Sequence, residues 1–105
     1  MTPPGVLVGA STDVLANTCR AREVTRLVLF GSAARGQAGA HSDVDLLVTF
    51  EQMTPARRAD ALFGLQDDLE RLLGRPVDLV EDEAIRNPYL RNAIERDRVV
   101  LYDVG

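Results

Sequence analysis

Short apolar runs alternate along this chain with longer stretches in which hydrophobic residues recur at helical spacing. The run Leu27-Val28-Leu29-Phe30 is continuous, rich in branched side chains and stopped by Gly31-Ser32, so it predicts a buried strand over residues 26–30. A second run, Asp43-Val44-Asp45-Leu46-Leu47-Val48, follows ten residues after Ser32. In a strand, residues i and i+2 share a face and lie roughly 6.5–7 Å apart. Val44, Leu46 and Val48 are therefore expected in the core, with Asp43 and Asp45 projecting together from the other side. Between the two runs, residues 32–35 suit a short helix and residues 37–42 a loop.

The remaining pattern fills in the elements around that pair. Residues 1–10, with Pro3, Pro4, Gly5 and Gly9, read as a loosely ordered lead-in, leaving residues 11–105 as the folded domain. Ser11, Thr12 and Asp13 are N-cap candidates for a helix reaching about residue 23, with Val14, Leu15, Ala16 and Cys19 facing a sheet. Thr54-Pro55 opens a long helix that Gly74 stops, with Pro76 just beyond. Ala59, Leu62, Phe63, Leu69, Leu72 and Leu73 are expected on its buried face, and Gly64 costs it about 1 kcal/mol relative to alanine. Val77-Asp78-Leu79-Val80 reads as a third strand, with Val77 and Leu79 on one face and Asp78 on the other. Glu81, Asp82 and Glu83 are expected to cap the next helix. Asn87-Pro88 opens that helix, which runs to about residue 96 with Leu90, Ala93 and Ile94 inward, and residues 99–102 form a last strand.

Composition narrows the chemistry. With 105 residues the chain makes one domain with a genuine core. A net charge of −4 and a pI near 4.9 speak against direct nucleic-acid binding, which needs a basic face. All 12 basic residues are arginine. Without a lysine there is no Walker-type P-loop, and a phosphatase with an Asp-x-Asp nucleophile lacks its catalytic lysine. Cys19 is the single cysteine, which excludes an intramolecular disulfide and a Cys-rich zinc site and suits a small core residue. Neither a signal peptide nor a membrane span is legible, so a cytoplasmic chain without membrane contact is expected.

Two carboxylates side by side repel unless cations sit between them. A pair of divalent ions about 3.5–4 Å apart is the arrangement used in phosphoryl and nucleotidyl transfer. Gly31 lets backbone approach a ligand closely, and the N–H groups around Ser32 suit an anion. A triphosphate fits with one end on this turn and its metals on the two aspartates. Arg35, one turn later, suits either phosphate oxygens or a surface ion pair. His41, in the polar loop, reads as solvated rather than as a ligand.

The spacing Gly-Ser-x10-Asp-x-Asp resembles the signature of the DNA polymerase β-like nucleotidyltransferase superfamily. Leu29-Phe30-Gly31-Ser32-Ala33-Ala34-Arg35-Gly36 with Ser42-Asp43-Val44-Asp45-Leu46 is most similar to its minimal branch, small proteins commonly encoded as antitoxins beside a HEPN-domain toxin. The resemblance implies an α+β nucleotidyltransferase fold: a mixed β-sheet of about four strands, helices mainly on one face, carboxylates on the other. It also implies two Mg²⁺ ions held by Asp43, Asp45 and a third carboxylate, Asp78, with Glu81, Asp82 and Glu83 as competing candidates; the alternative reading of Asp78 is an exposed edge strand. Gly31 and Ser32 would then hold the triphosphate of ATP, with Arg35 as auxiliary. The implied reaction transfers AMP to a hydroxyl, such as a tyrosine of the partner toxin, in a hetero-oligomer. Relatives often carry a second arginine where this chain has Ala33. Two rival expectations are an antitoxin that only covers its toxin, and a small-molecule nucleotidyltransferase, which usually brings a further domain for its acceptor.

Overall fold

The computed structural model describes residues 12–36 and 43–104; the lead-in expected over residues 1–10, the loop over 37–42 and His41 lie outside the described residues. In chain order the elements are α1 (Thr12–Ala21), β1 (Val24–Phe30), α2 (Gly31–Ala34), β2 (Val44–Phe50), α3 (Pro55–Leu73), β3 (Val77–Glu81), a 3₁₀ turn (Asp82–Ala84), α4 (Pro88–Asp97) and β4 (Val99–Asp103). The strands form one sheet in the order β3-β2-β1-β4. β1 runs antiparallel to both β2 and β4, whereas β2 and β3 are parallel and joined through α3. The sheet is therefore mixed and the class α+β, as expected.

Alternation along the central strands builds two cores. On one face Leu27, Leu29, Val44, Leu46, Val48 and Val77 pack with Leu15 and Cys19 of α1 and Leu65 and Leu69 of α3. On the other, Val28, Phe30 and Leu47 pack with Ile85 and with Ile94 of α4. α1 and α3 thus cover one face and α4 the other. Among the described residues no helix is long and apolar enough to cross a membrane.

The boundaries of α3 follow its capping chemistry. The Thr54 hydroxyl accepts from the Arg57 N–H at 3.3 Å, and Gly74 takes the left-handed conformation, φ 68°, donating its N–H to the Glu70 carbonyl at 2.8 Å. The same helix fixes the start of β3. The Glu70 carboxylate accepts the Val77 N–H at 2.9 Å, and Gln66 Nε2 donates to the Val77 carbonyl at 3.2 Å. The Val44 N–H donates to the Pro76 carbonyl at 2.9 Å, locking the first residues of β2 and β3 together.

Several expectations are corrected. α1 ends at Ala21 rather than near residue 23, because Glu23 is left-handed (φ 60°) and Val24 already pairs with Phe50. Leu15 and Cys19, one turn apart, take its buried face, which leaves Val14 46% exposed. In α3 the buried stripe is centred on Leu65 and Leu69, with Leu62 and Leu72 beside them, so Ala59 is exposed and Phe63 is 69% exposed. Gly64 has a positive role: a Cβ there would run into the Arg22 guanidinium, which crosses the helix to bind Asp68 at 2.8 Å. Leu90 is also exposed, at 38%. Glu81, Asp82 and Glu83 do not cap α4. Arg58 pairs with Glu81 and Glu83, and Arg91 with Asp82, while Asn87 Oδ1 caps the helix by accepting the Tyr89 N–H at 2.9 Å.

Candidate active site

The site grows from the register of three strands at one end of the sheet. Phe30, the last residue of β1, pairs with Asp45, and Asp45 pairs across the parallel ladder with Asp78. Parallel neighbours lie about 4.8 Å apart, and residues in register point to the same face. Asp45 and Asp78 therefore stand side by side on the α4 face, together with Leu47 and Val80, which pack into its core. Asp43 precedes Asp45 by two residues and is exposed at the mouth of β2. β3 is an edge strand, which explains how Asp78 is tolerated there: its side chain meets water. The edge position and the register with Asp45 hold at once.

The electrostatics follow from this crowding. Asp45 is half-buried, and its pKa is raised first by burial and then by the negative charges of Asp78 and Asp43. Among the described residues no hydrogen bond or ion pair ties any of these three carboxylates to a cation of the chain. The three do not form a closed cage: among the described residues no three acidic, histidine or cysteine side chains converge in a ready metal-binding group. Their donor set is nonetheless all carboxylate oxygen, which suits a hard divalent cation such as Mg²⁺.

Gly31 closes the site from the β1 side. It is left-handed, φ 74°, and a Cβ at this position would lie 2.5 Å from Asp45 Oδ2. Glycine is required twice over, for the backbone conformation and for the space that the carboxylate occupies. Ser32 follows in the single turn α2, which closes with the Arg35 N–H donating to the Gly31 carbonyl at 3.3 Å. The Gly-Ser turn and the paired aspartates, ten residues apart in sequence, are thus in direct apposition.

Arg35 takes the ion-pair option in this structure. Its Nη1 lies 2.5 Å from Oδ2 of Asp97, the last residue of α4. Asp97 was not legible as a site-linked residue, since a pairing across 62 positions leaves no local pattern. Cys19 is buried on the core face of α1, and burial pushes its thiol up to about 11, which disfavours the thiolate that nucleophilic chemistry needs.

A model of the nucleotidyltransferase domain family matches residues 13–101. A Methanocaldococcus jannaschii protein described as a candidate protein adenylyltransferase is 38% identical over 77 residues, which make up 73% of this chain and 76% of that protein. Among solved structures, a toxin–antitoxin complex with AMP-PNP is similar with a TM-score of 0.68 at 20% identity, over 90% of this chain and 75% of that one. The complex of a tri-AMPylated HEPN toxin from Shewanella oneidensis with its MNT antitoxin is similar with a TM-score of 0.59 at 19% identity, over 89% and 70% of the two chains.

Proposed function

Starting from a chain that belongs to the nucleotidyltransferase domain family and is a nucleotidyltransferase, we propose that it transfers AMP from ATP to a tyrosine hydroxyl of a HEPN-domain toxin, releasing pyrophosphate and the hydroxyl proton, and so acts as its antitoxin. The observation that carries this reading is the apposition of Gly31 with Asp45, and of Asp45 with Asp78, at the open end of the sheet. The adenylyltransferase description of the Methanocaldococcus relative favours a protein acceptor and AMP as the group transferred. The AMP-PNP complex and the AMPylated HEPN toxin among structures of this fold favour ATP as donor and a HEPN protein as partner.

In this reading Asp43, Asp45 and Asp78 would hold two Mg²⁺ ions through their carboxylate oxygens. When bound, the metals supply charge neutralisation at the phosphates and a more acidic acceptor hydroxyl. The chain's own contribution is positioning. The β2–β3 register holds the carboxylates on one face, Gly31 and Ser32 present backbone N–H groups to the triphosphate tail, and Arg35 adds a guanidinium at its edge. The raised pKa of Asp45 fits a cluster whose charges are meant to be compensated from outside the chain.

The test is incubation of the purified chain with its genomic partner, labelled ATP and Mg²⁺, followed by mass spectrometry. AMP on a partner tyrosine supports the reading. Neutralisation of the toxin without added AMP, or AMP on a free amino-sugar or nucleic-acid end, overturns it.

A further inference from the structure

Asp97 ends α4, and its side chain is only 9% exposed. A carboxylate is poorly placed there for the helix, whose C-terminal end carries partial negative charge, and burial adds a desolvation cost. Two guanidiniums offset both: Arg96 Nε lies 3.6 Å from Oδ1, and Arg35 Nη1 lies 2.5 Å from Oδ2. Arg96 is the sequence neighbour, whereas Arg35 lies 62 positions away in sequence, immediately after α2. A helix of one turn has no intrinsic stability and takes its place from tertiary contacts. The backbone of Arg35 closes that turn on the Gly31 carbonyl, and Gly31 abuts Asp45. A continuous path therefore runs from the Asp97 carboxylate through Arg35 to the Gly-Ser turn and on to the acidic pair.

We propose that Asp97 is a positioning residue of the active site: it holds Arg35, and through Arg35 the turn that sets Gly31 and Ser32 against Asp45. Its consequence for nucleotide binding rests on the functional reading above; its effect on the turn does not. A guanidinium carries five N–H donors in a fixed fork, so a carboxylate on one side orients the group without preventing contact to an anion on another. Arg35 then serves the site in an orientation that Asp97 dictates.

The test compares wild type with Asp97→Asn, Asp97→Glu, Arg35→Ala and the Arg35→Ala/Asp97→Asn double variant. Amide hydrogen exchange is read by NMR without nucleotide, and Mg·ATP affinity by calorimetry. Asp97→Asn keeps the shape and removes the charge. It should speed exchange of the Arg35 amide by about tenfold while leaving Leu29 and Leu46 in the central strands protected. Mg·ATP affinity should fall by about tenfold in Asp97→Asn and recover in part in Asp97→Glu. In the Arg35→Ala background the Asp97→Asn change should add less than about twofold, because the path is already cut. Unchanged exchange at Arg35 overturns the proposal. So does an equal loss of affinity in both backgrounds, or loss of protection throughout β1 and β2, which marks Asp97 as merely structural. If the Arg35 amide responds as expected but wild type binds no Mg·ATP, the positioning role stands and the functional reading falls.

Discussion

Replacing Gly31 by alanine separates backbone strain from damage to the site. Gly31 is left-handed, and an L-residue in that conformation costs about 1–2 kcal/mol. In a domain of this size each kcal/mol is worth about 4–8 °C of melting temperature. The added methyl also falls 2.5 Å from Asp45 Oδ2, about 1 Å short of ordinary van der Waals contact, so the carboxylate must turn away. A misplacement of about 1 Å in a catalytic group costs about a hundredfold in rate. Gly74 supplies the control: it is also left-handed, φ 68°, but its Cβ position has no neighbour within 4 Å among the described atoms. Gly31→Ala and Gly74→Ala should therefore lose comparable stability in thermal unfolding. In a single-turnover assay with radiolabelled ATP and the partner protein, only Gly31→Ala should lose transfer, by about two orders of magnitude beyond the control. Equal transfer by the two variants would refute the claim that Gly31 is glycine for the sake of Asp45.

The other expectations concern the carboxylates singly. Asp78→Asn should leave Mg·ATP affinity within about tenfold, ~1.4 kcal/mol, yet slow transfer by about a hundredfold or more, because its charge matters most as the acceptor attacks; transfer preserved within a few-fold would reduce it to an edge-strand carboxylate. The folded-state pKa of Asp45 lies above its ordinary value, so its contribution to stability is fully present below about pH 4 and is lost as pH rises through the raised pKa. Asp45→Asn removes that loss. The metal-free variant should melt higher than wild type at neutral pH, with the difference narrowing on acidification, and a lower melting temperature would contradict the assignment of burial and like-charge repulsion as the cause.

Much of this site was legible because its parts obey short-range rules. The alternation in residues 43–48 fixed which side the aspartates take, and Thr54-Pro55 with Gly74 marked both ends of α3 to the residue. What failed was the choice among apolar positions on helices. Phe63 and Leu65 are both large and apolar, and only the tertiary position of the sheet decides that Leu65 is buried while Phe63 faces water. Val14 and Leu90 failed for the same reason. Asp78 was singled out because an aspartate in a strand needs a reason, but its alignment with Asp45 depends on the parallel pairing of β2 and β3, held by Pro76, Glu70 and Gln66. Arg35 shows the limit most clearly. Sequence alone leaves its two readings even, because the partner, Asp97, lies on a helix that only the fold brings near.

The central claim is that Asp43 and Asp45 together make the nucleotide site. Changing both to asparagine removes two charges while nearly preserving volume and strand geometry, and takes away the carboxylate whose pKa is raised by burial and then by the charges of Asp78 and Asp43. Calorimetric titration of Mg·ATP into wild type and the Asp43→Asn/Asp45→Asn variant tests it most directly. The variant should unfold at the same temperature or higher and lose at least about a hundredfold in affinity, ~2.7 kcal/mol. Wild-type affinity in a well-folded double variant would contradict it.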